Sequence, residues 1–234
     1  MKKIIRRILF YLLCILLGLF VLSVLQVAAM RWLPVFRTPL MSIRSWEHHS
    51  DTTWKTHYTW VSLEKISPQL VRAVIASEDN RFEQHHGFDW IELDIAWNNE
   101  KRKQKRGAST ITQQVAKNVF LWPQRSWLRK GLEAYYTVLI ELFWDKERIM
   151  ETYLNVVEMG KGIYGAEAAA QFYYKKPAAK LTAAEAAMLA VCLPNPLHRN
   201  PKKPTAYLLQ RQKAILNLMQ KLPTPSFFEV KTKR

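Results

Sequence analysis

Cysteine is scarce in this sequence, and its two cysteines, Cys14 and Cys192, are not expected to pair. Cys14 lies inside a long apolar run, whereas Cys192 lies in the part of the chain that is expected to be globular. This separation excludes the small scaffolds that disulfides hold together in secreted proteins. The six histidines show no zinc-ligand spacing such as HExxH, so we expect no metal held by protein ligands.

Long apolar runs are also few, and only residues 8–30 could cross a membrane. This stretch has no charge, and as a helix rising about 1.5 Å per residue it spans a hydrocarbon core of about 30 Å. A cleaved signal peptide is the alternative, because Val27-Ala28-Ala29 offers small residues to a peptidase. The run is longer than the usual apolar core of such peptides, about 7 to 15 residues, which favours an uncleaved anchor. The basic residues within 1–7 predict a cytoplasmic N-terminus, with everything after residue 30 outside the cytoplasm.

Acidic residues are outnumbered, with 19 Asp and Glu against 35 Lys and Arg, for a net charge of +16. Residues 1–30 contribute four of these positive charges and no acid, which leaves +12 on the remainder. Such a domain is expected to bind an anion. Nucleic acid is the usual first hypothesis for a basic domain, but a domain tethered outside the cytoplasm rarely meets it, and anionic or phosphorylated lipids fit that location better. General solubility is the simpler alternative.

The rest of the chain is predicted to form one mainly α domain, preceded by a short linker. Residues 31–66 are a predicted membrane-proximal linker, with one strand where aromatic and polar residues alternate over 54–60. Residues 67–222 read as the catalytic domain, with helices beginning at the caps Ser67, Asp145 and Thr182. The helix after Asp145 is expected to end around Gly160 and Gly162. Residues 223–234 read as a flexible tail.

Two adjacent carboxylates, Glu78 and Asp79, stand at the end of an apolar predicted helix. A helix end places Glu78 half-buried beside a loop, where partial burial raises the pKa of a carboxylate and makes it a better base near neutral pH. An exposed helix-terminal acid is the alternative for an isolated Glu. Phe82, His85 and Gly87 then look like the packed turn that holds the two carboxylates in place.

The stretch from Gly107 to Asn118 carries anion-binding chemistry. Ser109 or Thr110 can cap the following helix, whose free N–H groups form a natural site for a phosphate oxygen. Thr110, Gln114, Lys117 and Asn118 share one face of that helix and suit hydrogen bonding to a sugar and a pyrophosphate, although a polar face is often only solvated. The basic run at residues 101–106 is expected to be a mobile loop near lipid phosphates, or simply solvated charge.

A second charged cluster, formed by Arg129, Lys130 and Glu133, opens a helix that soon becomes apolar. The spacings of three and four residues allow an internal salt-bridge cluster with a structural role. The functional alternative places two cations beside a second carboxylate at the edge of an apolar wall, where a lipid-linked pyrophosphate would leave.

Together these motifs resemble the peptidoglycan glycosyltransferases, the family of the glycosyltransferase module of bifunctional penicillin-binding proteins and of its monofunctional relatives. The resemblance runs from about Trp60 to Pro196 and includes Tyr153-Leu154-Asn155, Gly160, Gly165 and Ala169. One departure is Ala108, where the family commonly has a second glycine.

The resemblance implies a lysozyme-like, two-lobed helical fold that polymerises lipid II into β-1,4 glycan strands and releases undecaprenyl pyrophosphate. It implies that Glu78 is the catalytic base for the acceptor 4-hydroxyl and that Glu133 assists at the donor with Arg129 and Lys130. The remaining residues of the implied substrate site are Asp79, Phe82, His85, Ser109, Thr110, Gln114, Lys117 and Asn118. The domain would face the periplasm from the inner membrane.

Several expectations accompany this interpretation. Lipid II, the growing strand and the membrane are the expected partners, together with cell-wall or division proteins and without nucleic acid. No cofactor motif is present, although a divalent cation would assist the pyrophosphate. SxxK occurs only as Ser62-Leu63-Glu64-Lys65, inside the predicted linker, and Lys231-Thr232-Lys233 lacks the glycine of a KTG motif, so we expect no transpeptidase activity. A lysozyme-like lytic enzyme and a non-catalytic anchor are the competing hypotheses.

Overall fold

A computed structural model describes residues 2–98 and 109–228 of the chain. Its α-helices are α1 (Lys2–Ala29), α2 (Pro39–Glu47), α3 (Pro68–Glu78), α4 (Trp90–Asn98), α5 (Ile111–Phe120), α6 (Trp127–Phe143), α7 (Lys146–Val156), α8 (Ala166–Ala169), α9 (Ala183–Cys192) and α10 (Ala206–Lys221). The strands are β1 (His57–Tyr58), β2 (Glu158–Gly160) and β3 (Ile163–Tyr164). The prediction of a mainly α fold with one N-terminal apolar helix is confirmed.

The helices begin where the local sequence offers a side-chain acceptor. Ser67, Asp145 and Thr182 each accept a backbone hydrogen bond at the start of α3, α7 and α9, as predicted. Thr182 also forms a capping box, because Glu185 bonds back to the Thr182 backbone N–H at 2.8 Å. These bonds satisfy backbone groups that have no partner within the helix.

The core is built from two groups of helices. α3 packs against α9 and α10, while α5 packs against α6 and α7. The two groups join where Leu70, Val74, Ile111 and Ile149, all fully buried, belong to a single apolar cluster. The carboxyl end of α3 and the start of α5 therefore meet at the boundary between the groups, where the candidate site lies.

Two stretches differ from the sequence-based expectation. The predicted linker contains helix α2, which begins with Thr38 as cap and Pro39 in the first turn and buries Met41. The helix after Asp145 ends at Val156, not around the two glycines. Gly160 and Gly162 belong instead to a hairpin in which β2 pairs antiparallel with β3, and β3 pairs parallel with the distant β1.

The described part of the predicted tail packs on the domain. Phe227 is buried, and Ser226 donates from both N and Oγ to the carboxylate of Glu83, at 3.0 and 2.6 Å. The sequence pattern missed this because the contact joins residues far apart in the chain.

Helix α1 is long and apolar enough to cross a membrane, and it packs against α6. The hydroxyls of Ser23 and Tyr135 lie 2.7 Å apart, and the Trp144 indole N–H donates to the Val27 carbonyl at 2.8 Å. Arg148 donates to the Met30 carbonyl at 2.8 Å. α6 leaves four large apolar side chains exposed along its length, namely Trp127, Leu128, Val138 and Leu142. The hydrogen bonds at its carboxyl end therefore fix α1 to the domain.

Candidate active site

Glu78 is the last residue of α3, and its side chain is only partly exposed. One carboxylate oxygen accepts a hydrogen bond from Gln114 Nε2 at 3.1 Å, and the other accepts one from Ser77 Oγ at 3.3 Å. The hydroxyl of Tyr153, a fully buried residue of α7, donates to Gln114 Oε1 at 3.4 Å. Three helices therefore fix the position of this carboxylate.

The pKa of Glu78 is raised by burial, and the charge of Asp79 adds to the increase. The hydrogen bonds from Gln114 and Ser77 and the charge of Arg199 act in the opposite direction and favour the ionised form. Gln114 thus keeps a buried carboxylate available as a proton acceptor while burial makes that carboxylate more basic.

Asp79, the residue after Glu78, joins two elements. Its carboxylate accepts hydrogen bonds from His85 Nε2 at 2.9 Å and from the backbone N–H of Ile111 at 3.0 Å. The sequence analysis predicts that the free N–H groups at the start of α5 bind a phosphate oxygen. In the structure, the Ile111 N–H donates instead to the carboxylate of Asp79. Gln113 N–H is also used, because it donates to Thr110 Oγ1 at 3.2 Å.

The turn after Asp79 is packed from both sides. Phe82 and His85 are buried, and Lys146 Nζ lies 4.7 Å from the Phe82 ring centroid while donating to the His85 carbonyl at 2.7 Å. Thr110 Oγ1 donates to the Gly87 carbonyl at 2.6 Å. Phe82, His85 and Thr110 therefore hold the loop that follows Glu78.

Gly87 is a position where this turn requires glycine. Its φ of +83° is unfavourable for other residues, and an added Cβ would lie 2.6 Å from Thr137 Cγ2. We expect Gly87→Ala to lower the free energy of unfolding by about 2 to 4 kcal/mol, from backbone strain and overpacking. Gly131, on the exposed face of α6 with no atom within 4 Å of an added Cβ, is the matched control.

Gly131→Ala is expected to raise stability by about 0.5 to 1 kcal/mol, because alanine is the better helix former. Chemical unfolding of the full-length protein in detergent measures both variants. Equal stability of Gly87→Ala and the parent would contradict the tight turn.

The second cluster is a buried ion-pair triad at the start of α6. Glu133 is only 3% exposed and accepts from Arg129 Nη1 at 2.5 Å and from Lys130 Nζ at 2.5 Å. Arg129 is buried, whereas the Lys130 side chain is 45% exposed. The internal salt bridges that the sequence spacing allowed are therefore present. Lys130 nevertheless remains partly exposed to solvent.

Lys117 connects this triad with Glu78. Burial lowers the pKa of Lys117, and its largest charge interaction is attraction to Glu133, followed by repulsion from Arg129 and Lys130. Gln114 and Lys117 are three residues apart on α5, so they share a face within one helical turn. Glu78 and the cations therefore lie along the same face of α5, about one helical turn apart.

Two further predicted site residues, Ser109 and Asn118, lie on or next to α5. Ser109 lies in the loop before α5 and is partly exposed, and Asn118 is buried on α5. The basic run at residues 101–106 lies outside the described residues.

Sequence reasoning gave no role to two residues that act on Glu78. Tyr153 orients Gln114 through a hydrogen bond. Its place in the Tyr153-Leu154-Asn155 motif was the one sequence feature that could have indicated this role. Arg199 belongs to none of the sequence motifs described above, and only the fold brings its charge near Glu78.

Asp79, His85 and Asp89 bring three potential metal ligand atoms within 4.8 Å of one another. These atoms already have protein partners: Asp79 bonds His85 and Ile111, and Asp89 accepts from the backbone N–H groups of Ile91 and Glu92. Asp89 also lies 3.5 Å from Arg81. This donor set fits a hydrogen-bonded turn better than a metal ion.

Comparison with known proteins gives a consistent result. A family model described as transglycosylase matches residues 47–220. Three similar curated proteins are each named biosynthetic peptidoglycan transglycosylase. The one from Bacteroides thetaiotaomicron is 58% identical over 223 residues, covering 94% of this chain and 89% of the relative. Those from Caulobacter vibrioides and Bdellovibrio bacteriovorus are 52% and 50% identical, covering 82% and 85% of this chain and 82% and 80% of the relatives.

Proposed function

Because the chain belongs to the transglycosylase family and is a peptidoglycan glycosyltransferase, we propose that it polymerises lipid II into β-1,4 glycan strands. The other product is undecaprenyl pyrophosphate. The observation that carries this proposal is helix α5, which holds Gln114 against Glu78 and, within one turn, Lys117 near Glu133. A proton acceptor and a group of cations are thus adjacent, as transfer from a pyrophosphate donor requires.

On the acceptor side, Glu78 takes the proton of the 4-hydroxyl of the incoming sugar. The oxygen attacks C1 of the donor sugar from the face opposite its pyrophosphate, so the C1–O bond to phosphate breaks with inversion. The raised pKa of Glu78 makes the carboxylate a stronger base, and Gln114 keeps it ionised. The electron pair of the broken bond leaves with the pyrophosphate.

On the donor side, the leaving pyrophosphate needs its charge neutralised more than it needs a proton. Lys117, Arg129 and Lys130 supply three cations, and Glu133 holds the last two in position. Ser109, Gln114 and Asn118 complete the proposed donor site, while Asp79, Phe82, His85 and Thr110 support the loop. A divalent cation would share the pyrophosphate with these cations.

We further propose that the chain lacks transpeptidase activity and that its domain faces the periplasm from the inner membrane. The sequence has no KTG motif, and its one SxxK, at residues 62–65, lies in the predicted linker before the domain, which supports the first proposal. The apolar helix α1, which fits a single-pass membrane anchor, supports the second.

The direct test supplies fluorescent lipid II to full-length protein in detergent and, separately, supplies polymeric peptidoglycan. Strand formation without cleavage is the expected result. Cleavage of polymer without synthesis would instead favour a lytic enzyme, and inactivity on both substrates would favour a non-catalytic anchor.

The rate should also depend on pH through Glu78. Protonation blocks the base, so we expect polymerisation to fall as pH drops through a midpoint above the ordinary carboxylate value of 4.5. In Gln114→Ala the hydrogen bond that favours the ionised form is lost, and the midpoint should move to higher pH. Initial rates at saturating lipid II across a pH series measure both midpoints.

The control for this prediction is Gln210→Ala, which changes an exposed glutamine on α10. Its midpoint should match that of the parent. A Gln114→Ala midpoint that stays constant or moves to lower pH would contradict the assigned role of Gln114.

A further inference from the structure

Two neighbouring pockets share the side chain of Phe172. The first has a volume of about 400 Å³ and lies between strand β1 and the turn that carries Gln171, Phe172 and Lys175. The second, of about 330 Å³, is bounded by Lys161 and by residues 196–200. The Phe172 ring, 40% exposed, therefore forms a shared wall between two concave surfaces.

The lining of both pockets carries charge of a single sign. Lys175 lines the first pocket, and Lys161 and Arg199 line the second. Lys202 lines neither pocket but lies beside their shared wall, since its Nζ is 5.9 Å from the Phe172 ring centroid, against 5.8 Å for Lys175 Nζ. No Asp or Glu is among the described residues that line either pocket. Within the described ranges, none of the three lysines forms an ion pair with a carboxylate. The surface combines an apolar ring with cations that are available to a ligand.

The local backbone explains why this ring is exposed. Residues Ala170–Tyr174 form a π-helical turn, and Lys175 ends it in the left-handed region at φ 56°. The adjacent Tyr173 is buried, and its hydroxyl donates to the Met159 carbonyl at 3.2 Å. π-helical turns and left-handed residues other than glycine are found often at functional sites.

The second pocket is connected to the proposed base through α9, because Ser77 Oγ, next to Glu78, donates to the Ala190 carbonyl at 3.3 Å. Arg199, one of its lining residues, is held by donation from Nη1 to the Val191 carbonyl at 2.6 Å. The charge of Arg199 reaches Glu78, where it partly opposes the larger effect of burial on the pKa of that carboxyl. A ligand in this pocket would therefore lie on the acceptor side of the reaction.

We propose that Phe172, Lys175 and Lys202, with Lys161 and Arg199, form a subsite for the acidic peptide on the muramic acid unit next to the acceptor sugar. This inference rests on the proposed function. A muramyl peptide offers free carboxylates to the lysines and short aliphatic groups to the Phe172 ring. Charge-assisted hydrogen bonds of this kind are stronger than those between neutral groups.

The test compares two lipid II substrates, one with its peptide and one from which an amidase has removed the peptide. The variant is Lys175→Gln with Lys202→Gln in the full-length protein. The control is Lys65→Gln with Lys180→Gln, which removes the same charge from two exposed lysines that neither line a pocket nor stand over the Phe172 ring. The pocket variant should raise KM for the peptide-bearing substrate about tenfold, since each exposed charge pair contributes up to about 1 kcal/mol.

The same variant should leave KM for the peptide-free substrate unchanged, and Phe172→Ala should show the same selectivity. An equal rise for both substrates would overturn the proposal in favour of glycan binding. No rise for either would also overturn it. So would reduced binding to phosphatidylglycerol vesicles with unchanged discrimination between the substrates, which would indicate a lipid surface.

A wild-type protein that polymerises neither substrate would refute the proposed function but not the peptide subsite. Calorimetric titration with soluble muramyl pentapeptide then decides. Binding that persists in Glu78→Gln and is lost in the Lys175→Gln and Lys202→Gln variant would support the subsite. Equal binding by all variants, or none by the wild type, would overturn it.

Discussion

Glu78→Gln is expected to reduce the rate of lipid II polymerisation by about 10²- to 10⁴-fold, the usual contribution of a general base. Glutamine has nearly the volume of glutamate and can still bond Gln114, but its amide does not accept the proton of the acceptor hydroxyl. The measurement is the initial rate of strand formation from fluorescent lipid II. A loss of less than tenfold would show that Glu78 is not the base.

The same substitution should not weaken the fold. Burial raises the pKa of Glu78 in the folded protein above its ordinary value of 4.5, so the folded state binds this proton more tightly than the unfolded chain does. The ionised carboxylate therefore lowers stability as pH rises from 4.5 through the raised pKa. Glu78→Gln removes that cost, and its melting temperature at neutral pH should equal or exceed that of the parent.

Glu83→Gln is the matched control for both measurements. Glu83 lies in the turn that follows Glu78, and it is exposed. Its carboxylate accepts a hydrogen bond from Ser226 of the C-terminal segment. The variant should polymerise at the parental rate. A rate loss in Glu83→Gln as large as that in Glu78→Gln would indicate general damage to the loop.

Arg129→Met is expected to lower both stability and rate. Glu133, 3% exposed, would keep only the more exposed Lys130 as a partner, and a buried charge without its main partner costs roughly 3 kcal/mol. The rate should fall about 10²-fold, as is usual when one group that stabilises developing charge is removed. Chemical unfolding and initial polymerisation rates measure the two effects separately.

A double variant distinguishes the structural role of the triad from its catalytic role. Arg129→Met with Glu133→Met replaces the buried pair by apolar side chains, which should recover most of the lost stability. The rate should stay low, because the cation at the donor is still missing. A double variant that regains the parental rate would reduce the triad to a structural ion pair.

Arg37→Met removes one positive charge from an exposed arginine outside the triad and serves as the control. It should leave both the rate and the free energy of unfolding near the parental values.

The parts of the fold that the sequence predicted are those set by neighbouring residues. The caps at Ser67, Asp145 and Thr182 need only a hydroxyl or carboxylate within three residues of the N–H that it accepts. Thr38 and Pro39 carry the same signal as Ser67 and Pro68, so α2 was within reach of the same reasoning. The segment was instead predicted to be a linker, because it is rich in proline and tryptophan.

The parts that were not predicted depend on contacts between distant segments. Asp79 lies at the start of α5 because it bonds Ile111, and no local pattern indicates that pair. The hairpin of β2 and β3 depends on β1, about one hundred residues earlier in the chain. For the candidate site, the sequence supplied the residue types, whereas the fold determined which of them meet.

The attachment of α1 to the domain has a consequence for how the enzyme meets its substrate. Ser23 precedes Met30 by seven residues, about 10 Å along a helix, and it is level with Tyr135 of α6. The anchor therefore holds the reaction centre at a constant height above the plane in which a lipid-linked donor diffuses. The reaction centre then meets lipid II by diffusion within that plane. The rate of polymerisation should therefore depend on the number of lipid II molecules per unit area of membrane, and not on the concentration of lipid II in the bulk solution.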